Sequence, residues 1–560
     1  MADVFDELRA IQREFGYLPA DQLQALSGKI NVPLSQIHAV ASFYPHFHLT
    51  PPPKVDCRVC ADMTCHLRGG DQLKSGLEAA FRGDQQSLSI RDVSCLGRCD
   101  EAPAVMINDV IYSHVSGPQA VSMVQDALAG KPLPEALHHK PRVPVAMDPY
   151  NGTGEYAVVR RFLETQNWQD IIAALKASGL RGMGGAGFKT GLKWEIVRNA
   201  PGTAKYIVCN ADESEPGTIK DRFIMENVPH LVIEGMIMAG LVTGAKEGIL
   251  YIRHEYEYPK EVLQEELDRC YQHCLLGKNI LGSGVAFDLK IFVSPGGYIC
   301  GEESALLEAI EGKRAEPRNK PPFPGTNGLW NQPTVINNVE TFCLATVILA
   351  RGVDWYKAQG KGGSLGSKFV GISGDVNRPG IFEVPMGISY QELIFQHAGG
   401  IIDGKKLLGF APSGPSSGYL PASMTNLPLD WDAVAKVGSM VGSGAIVVCA
   451  EGRCMLDMAL NSVRFFRNES CGKCVPCRMG SQKMVEMLKG WTEGRAGEHD
   501  LQLLKELSDA MRLSSICGLG QVVPVPIVSV LTHFREVVDD HVLRRRCPAG
   551  VCFSESARRA

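Results

Sequence analysis

Near its C-terminus the chain carries Cys471-Gly-Lys-Cys474-Val-Pro-Cys477, and Cys517 follows in Ser514-Ser-Ile-Cys-Gly-Leu-Gly520. Each two-residue gap is just enough chain to turn back, so three thiolates surround one small volume. The distant fourth closes a four-thiolate cage, the usual ligand set for a [4Fe-4S] cluster. The same donor count could hold zinc, although structural zinc cages are usually built from paired C-x2-C knuckles. Cysteines simply buried in a core are the remaining alternative. An iron–sulfur centre moves single electrons, so the rest of the chain should say where they come from.

A chain of 560 residues has room for about three or four domains with ample core. Its hydrophobic content of 45% and net charge of -4 fit an ordinary soluble globular protein, with no signature of nucleic acid or an anionic membrane as partner. No apolar run approaches the ~20 residues of a membrane-spanning helix. The start, MADVFDELRAIQREFGY, lacks a secretory apolar segment, so a cytoplasmic location is expected. Eighteen cysteines, clustered and without that signal, argue for metal ligation rather than disulfides.

A second cysteine set lies near the N-terminus, in Cys60-Ala-Asp-Met-Thr-Cys65 and Cys95-Leu-Gly-Arg-Cys99. An alternating apolar run leads into each pair and reads as a strand, with a helical pattern over Gly70–Phe81 between them. Two thiolates at the end of each strand can hold a [2Fe-2S] rhomb, two ligands per iron. Cys57, inside the first run, reads as a strand residue.

The middle of the chain carries binding chemistry. Six glycines fall within the first thirteen residues of Gly179–Trp194. Such a loop lets backbone N–H groups approach an anion or a flat ring, though its spacing is neither a Rossmann fingerprint nor a Walker loop. Tyr206–Gly217 then reads as an apolar strand delivering Asn210, Asp212, Glu213 and Glu215, and strand ends are where ligands sit in open α/β sheets. Taken alone, that acidic run could equally be a solvated turn. Gly296-Gly-Tyr-Ile-Cys-Gly-Glu-Glu-Ser304 repeats the pattern, and Lys320-Pro-Pro-Phe-Pro-Gly325 and Pro333–Thr341 follow.

In their order and near-identity these segments resemble the FMN- and NADH-binding flavoprotein subunit of respiratory complex I. The N-terminal cysteine pattern, with Phe15–Pro19 and Val40–Tyr44 before it, resembles that complex's small thioredoxin-like [2Fe-2S] subunit. The two are joined in one chain, as in diaphorase subunits of NAD-dependent formate dehydrogenases and NAD-reducing hydrogenases. The resemblance implies that Gly182, Gly184, Gly185, Gly187, Lys193, Asn210, Asp212, Glu213, Tyr298, Gly301, Glu302, Asn337 and Asn338 hold FMN. It implies that Phe188, Glu215, Glu303, Lys320 and Phe323 face NAD, aromatics against adenine and carboxylates on hydroxyls. It assigns Cys60, Cys65, Cys95 and Cys99 to a [2Fe-2S] cluster and Cys471, Cys474, Cys477 and Cys517 to a [4Fe-4S] cluster. The sequence departs from the family at Met183 and Lys189, where arginine and proline are usual, and at Ile196, where some members have phenylalanine.

The expected fold is α/β and multidomain: a helical bundle over 1–50, a thioredoxin-like [2Fe-2S] domain over 51–131 and a linker over 132–151. A Rossmann-like FMN/NADH domain over 152–364, a β-grasp domain over 365–432, a helical [4Fe-4S] domain over 433–540 and a tail over 541–560 complete it. The expected function is hydride exchange between NAD(H) and FMN, with single electrons relayed through the [4Fe-4S] and [2Fe-2S] centres, the latter on the main route or a side branch that stores one electron, to a partner catalytic subunit, with a further iron–sulfur subunit as an additional candidate partner. No side-chain acid or base is needed, because cofactors carry the chemistry. The fused layout fits a formate dehydrogenase partner first, then a hydrogenase, then a complex I module. An iron–sulfur scaffold or sensor with a degenerate flavin site is the non-enzymatic alternative. Cys547 and Cys552 in the tail are too few for a cluster and read as structural or interfacial.

Overall fold

The computed structural model describes residues 4–83, 86–136, 141–497 and 499–553. Helices Val4–Phe15, Ala20–Ile30 and Leu34–Phe43 open the chain. The second and third begin just after Pro19 and Pro33, whose fixed φ suits a helix start. This bundle is not detached. Phe5 meets Phe292 edge-on at 6.0 Å, and the Tyr44 hydroxyl donates to the Lys313 carbonyl at 2.6 Å. Both contacts lie on the flavin domain.

Strands β1 (Val55–Cys60), β2 (Leu88–Val93), β3 (Ala104–Ile107) and β4 (Val110–Ser113) form a sheet ordered β2-β1-β3-β4. The first two run parallel, joined through the expected helix, here Gly70–Ala80. Cys57 is fully buried in β1, as a strand residue.

The flavin domain is built on β5 (Tyr206–Ala211), β6 (Glu247–Arg253), β7 (Asp288–Ser294) and β8 (Thr334–Asn338). All neighbours in the order β7-β6-β5-β8 are parallel. Helix Pro229–Thr243 is buried along its whole length, which explains why it reads apolar on every side rather than as a stripe. The expected linker over 132–151 is only partly one. Residues 137–140 lie outside those described, whereas Met147 and Tyr150 are buried in the flavin core.

The next sheet contains β9 (Ser367–Gly374), β10 (Gly380–Pro385), β11 (Leu407–Ala411), β12 (Leu420–Pro421) and β13 (Ala445–Ala450). Its order is β10-β9-β13-β11-β12. The boundary expected at 432 therefore cuts through a folding unit. Strand β13, expected within the helical domain, lies at the centre of this sheet, parallel to β9 and antiparallel to β11. Its run Ala-Ile-Val-Val-Cys-Ala is buried on both faces and so has no alternation to mark it as a strand. Helices Met455–Asn468, Val475–Thr492, His499–Ser514, Val525–His533 and Arg535–Val542 follow. Among the described residues, no helix is long and apolar enough to cross a membrane.

Candidate functional site

The glycine loop and the ends of β5 and β8 surround one cradle. A Cβ on Gly184 would lie 3.0 Å from the Asn338 Cβ, so that glycine serves loop-to-strand packing. Gly185 differs. Its φ is +136°, and a Cβ there would meet nothing within 4 Å, so its backbone faces open space in a conformation that favours glycine. Lys193 reaches under the loop to the Ile336 carbonyl at 2.9 Å, and burial lowers its pKa. The Trp194 indole N–H donates to Asn337 Oδ1 at 2.9 Å.

On the other side of the cradle, Asn210 Nδ2 donates to the Gly301 carbonyl at 2.8 Å. Asp212 accepts from the Ser214 hydroxyl at 2.8 Å through one oxygen, while its other oxygen is buried without a partner. Burial pushes its carboxyl up to about 7. A buried acceptor left without a donor is costly, and here it lies near Gly301, where a Cβ would come within 3.3 Å of the Asp212 carbonyl. A polyhydroxyl chain would satisfy it, so Asp212, Asn210 and the Gly185 backbone could hold the ribityl phosphate of FMN.

Two residues expected to face FMN do other work. Glu213 accepts from the backbone N–H groups of Asp221 and Arg222 and from the Tyr256 hydroxyl at 2.7, 3.0 and 2.8 Å. It therefore holds the first turn of helix Lys220–Asn227. Asn338 donates to Asp221 at 2.6 Å and accepts from Lys220 and from the Glu340 backbone. These belong to a buried network in which Glu340 also holds Lys220 and Lys368, each at 3.0 Å. Buried charges persist only when paired, and this network fixes the floor beneath the loop. Spacing in the sequence gave no sign of it.

The residues expected to face NAD sit at the mouth. Phe188 and Phe323 are 46% and 59% exposed, unusual for rings of this size unless they receive something flat. Lys320 bridges Glu302 and Glu303, 2.7 Å to each. Glu302 also caps helix Glu303–Ile310 by accepting from Ser304 and Ala305. Glu215 lies deeper, accepting the Ser416 N–H at 2.9 Å, with its pKa raised by burial. Ile196 lies against the same rim, where a Cβ on Gly325 would touch it at 3.1 Å.

The cysteines of each set lie close enough to influence one another. Cys60, Cys65, Cys95 and Cys99 are buried, and the Cys95 and Cys99 sulfurs lie 3.4 Å apart. The Gly97 N–H points to Cys95 Sγ at 3.4 Å, and the Gly217 N–H, from the flavin domain, points to Cys99 Sγ at 3.3 Å. Such N–H···S contacts help set the potential of a cluster held there. Cys474 and Cys517 cap helices Val475–Thr492 and Gly518–Val522, and Cys477 lies in the first turn of the former. Burial pushes the Cys477 thiol up to about 12 and Cys517 up to about 11. Four cysteine sulfurs are the donor set that a [4Fe-4S] cluster takes.

The three redox modules meet directly. Arg253 donates to the Cys95 carbonyl and to that of Glu213, at 2.6 and 2.5 Å. Arg222 reaches the Gly97 carbonyl and Asp100. Glu469, two residues before Cys471, accepts from Ser94 and from the Tyr298 N–H. The Tyr298 ring packs on Phe465 at 5.0 Å. The loops that carry Tyr298, Ser94 and Cys471 are thus packed against one another.

This fold and these sites define an FMN- and iron–sulfur-dependent oxidoreductase subunit. Residues 2–128 match the family of thioredoxin-like [2Fe-2S] ferredoxins, and 175–346 match the Nuo51 FMN-binding domain. Residues 369–419 match the SLBB domain, and 457–541 the iron–sulfur binding region of NADH-ubiquinone oxidoreductase F. The chain is 41% identical over 409 residues to the NADP-reducing hydrogenase subunit HndC of Solidesulfovibrio fructosivorans, covering 73% of this chain and 83% of that one. It is 32% identical over 573 residues to the NAD-reducing hydrogenase HoxS subunit alpha of Cupriavidus necator, covering 97% and 93%. A crystal structure of an NAD+-reducing [NiFe]-hydrogenase in its H2-reduced state superposes with a TM-score of 0.87 at 32% identity, over 99% of this chain and 95% of that chain. The chain belongs to the complex I-type family of FMN-binding iron–sulfur flavoproteins.

Proposed function

We propose that this chain is a diaphorase subunit, exchanging hydride with NAD(H) at the mouth of the cradle and passing electrons to a separate catalytic chain. FMN, when bound, takes electrons as a pair and gives them up singly. The protein's part is geometric. Phe188 and Phe323 offer faces for a nucleotide base, and Lys320 with Glu302 and Glu303 shapes the rim beneath it. Asp212, Asn210 and the glycine loop hold the flavin, and the Tyr298–Glu469 contact keeps it near the Cys471 ladder. The observation that carries this reading is the convergence of the cradle and both thiolate sets on Glu469.

For the partner, the fused layout supports a formate dehydrogenase catalytic subunit. A second reading, the diaphorase of an NAD-reducing hydrogenase, is favoured by the relative matched over 97% of this chain. Affinity purification of the chain from its own cells, followed by NAD+ reduction with formate and with H2, tests both. Formate-dependent reduction by the purified complex supports the first, and H2-dependent reduction the second. A preparation lacking flavin and NADH oxidation would overturn the diaphorase role itself.

A further inference from the structure

A third gathering of metal-ligating side chains lies outside both cysteine sets. Cys454 stands at the N-cap of helix Met455–Asn468, and His541 lies near the end of helix Arg535–Val542. Cys547 and Cys552 come from the tail that follows. One donor atom from each lies within 4.8 Å of all the others. Cys454 Sγ is 3.7 Å from Cys552 Sγ and 3.6 Å from His541 Nε2. Cys454, His541 and Cys552 are 3%, 0% and 7% exposed.

We propose that Cys454, His541, Cys547 and Cys552 hold one structural zinc ion. Around a tetrahedral zinc, bond lengths of about 2.3 Å to sulfur and 2.0–2.1 Å to nitrogen place sulfur atoms about 3.8 Å apart and sulfur about 3.5 Å from nitrogen. The two measured separations match these edges. Three thiolates and one imidazole are a familiar structural set for zinc, and the tetrahedron leaves no open position for a substrate. A [4Fe-4S] cube places its own irons and sulfides between its ligands, and donors this close do not admit it.

The imidazole is also prepared. Its Nδ1–H donates to the Val537 carbonyl at 2.7 Å, which fixes the tautomer and turns the Nε2 lone pair toward the sulfurs. A backbone carbonyl behind a ligating histidine is a usual orienting device. The ring stacks on Phe553, centroids 5.6 Å apart and planes 18° from parallel. The Phe553 N–H then donates to the Thr492 carbonyl at 3.0 Å. Zinc with three thiolates leaves one net negative charge, and the run Arg544-Arg-Arg546 precedes the tail cysteines. Arg544 and Arg546 both pair with Asp540, at 2.7 and 2.9 Å, drawing the turn back over the site.

The ion would fasten the tail to the N-cap of the helix whose far end leads into the cluster ladder. Binding displaces the thiol protons to solvent as three Zn–S bonds form, with no oxidation or reduction.

Metal analysis of the whole purified chain tests this. The expected result is about one zinc per chain in addition to cluster iron. Zinc should be lost from Cys454→Ser and from Cys552→Ser while flavin and iron remain. If those variants do not accumulate, Cys547→Ala, on the half-buried tail, carries the same expectation. Cobalt exchanged into the site should show thiolate charge-transfer bands and intense tetrahedral d–d bands. Zinc-free protein that takes up no zinc on reconstitution would overturn the proposal. So would zinc that persists in all three variants, iron in place of zinc, or an octahedral cobalt spectrum.

Discussion

The Tyr298 backbone N–H donates to Glu469 Oε2 at 2.7 Å. Glu469 also accepts from Ser94, next to Cys95, so one half-buried carboxylate joins three loops. Burial raises its pKa, and its two donors would be left unpaired by truncation. Glu469→Ala should cost about 2–4 kcal/mol and should slow electron delivery to the clusters more than flavin reduction. Stopped-flow reduction by NADH, followed at flavin and cluster wavelengths, reads both. Equal slowing at the two would contradict the junction role.

Cys474→Ser should remove about four irons of an expected six, since one missing thiolate opens the cage. NADH oxidation with an artificial acceptor should survive, while transfer to a partner stops. Iron analysis with activity measurement checks this, and unchanged iron would refute the ligand assignment.

Gly185 and Gly70 make opposite predictions. Gly185→Val fills the open face of the cradle and should lose FMN or NADH oxidation while keeping cluster iron. A Cβ on Gly70 would lie 2.8 Å from the Cys60 carbonyl and 3.0 Å from that of Cys65, so Gly70→Val should lose the [2Fe-2S] iron and keep FMN. Flavin and iron counted together in both variants decide it. Normal flavin content and activity in Gly185→Val would remove the cradle from consideration.

The proposed placement of Glu215 and Glu303 beside the adenosine ribose puts carboxylates where a ribose hydroxyl can donate and a 2′-phosphate is repelled. NADH should exceed NADPH by at least roughly tenfold in kcat/KM. A relative named as NADP-reducing, 41% identical, makes this a real discrimination. Equal kcat/KM for the two nucleotides, in flavin-replete protein, would place these acids elsewhere.

His66 should give docking of the [2Fe-2S] module a pH dependence. Burial opposes charge on its ring, but hydrogen bonds to Asp457 at 2.7 Å and Asp71 at 2.8 Å hold its pKa up at about 10. Two carboxylate partners require both ring nitrogens to donate. Because the folded pKa lies above an unfolded value of about 6.5, the stabilisation is complete below about pH 6.5 and is lost as pH rises toward about 10. Hydrogen exchange of the β1–Gly70 region across that range should show rising mobility. His66→Gln should flatten the profile and cost on the order of 2 kcal/mol at neutral pH. An unchanged profile in the variant would assign the dependence to other groups.

Much of this was legible because cysteine spacing and strand-end acids are local signals. The βαβ unit around Cys60 and Cys95, the strand before Asn210 and the helix opened by Glu302 all lie where the pattern puts them. What stayed hidden is long-range. Glu213 and Asp212 are neighbours in sequence, yet one accepts from the first turn of a helix and from Tyr256 while the other keeps one oxygen without a partner. Strand β13 has no alternation because both its faces are covered. Cys454 and His541 drew no notice, being single residues far from the tail cysteines they meet.

The central position of β13 bears on how such chains diversify. A recombination event that exchanged residues 367–432 alone would set an imported β9 and β11 on either side of the recipient's own β13, a strand packed against different neighbours. Successful exchange has to carry 367–450 as one cassette, and the join then falls only four residues before Cys454. The seam at which such an insert can be swapped is therefore pressed against the start of helix Met455–Asn468.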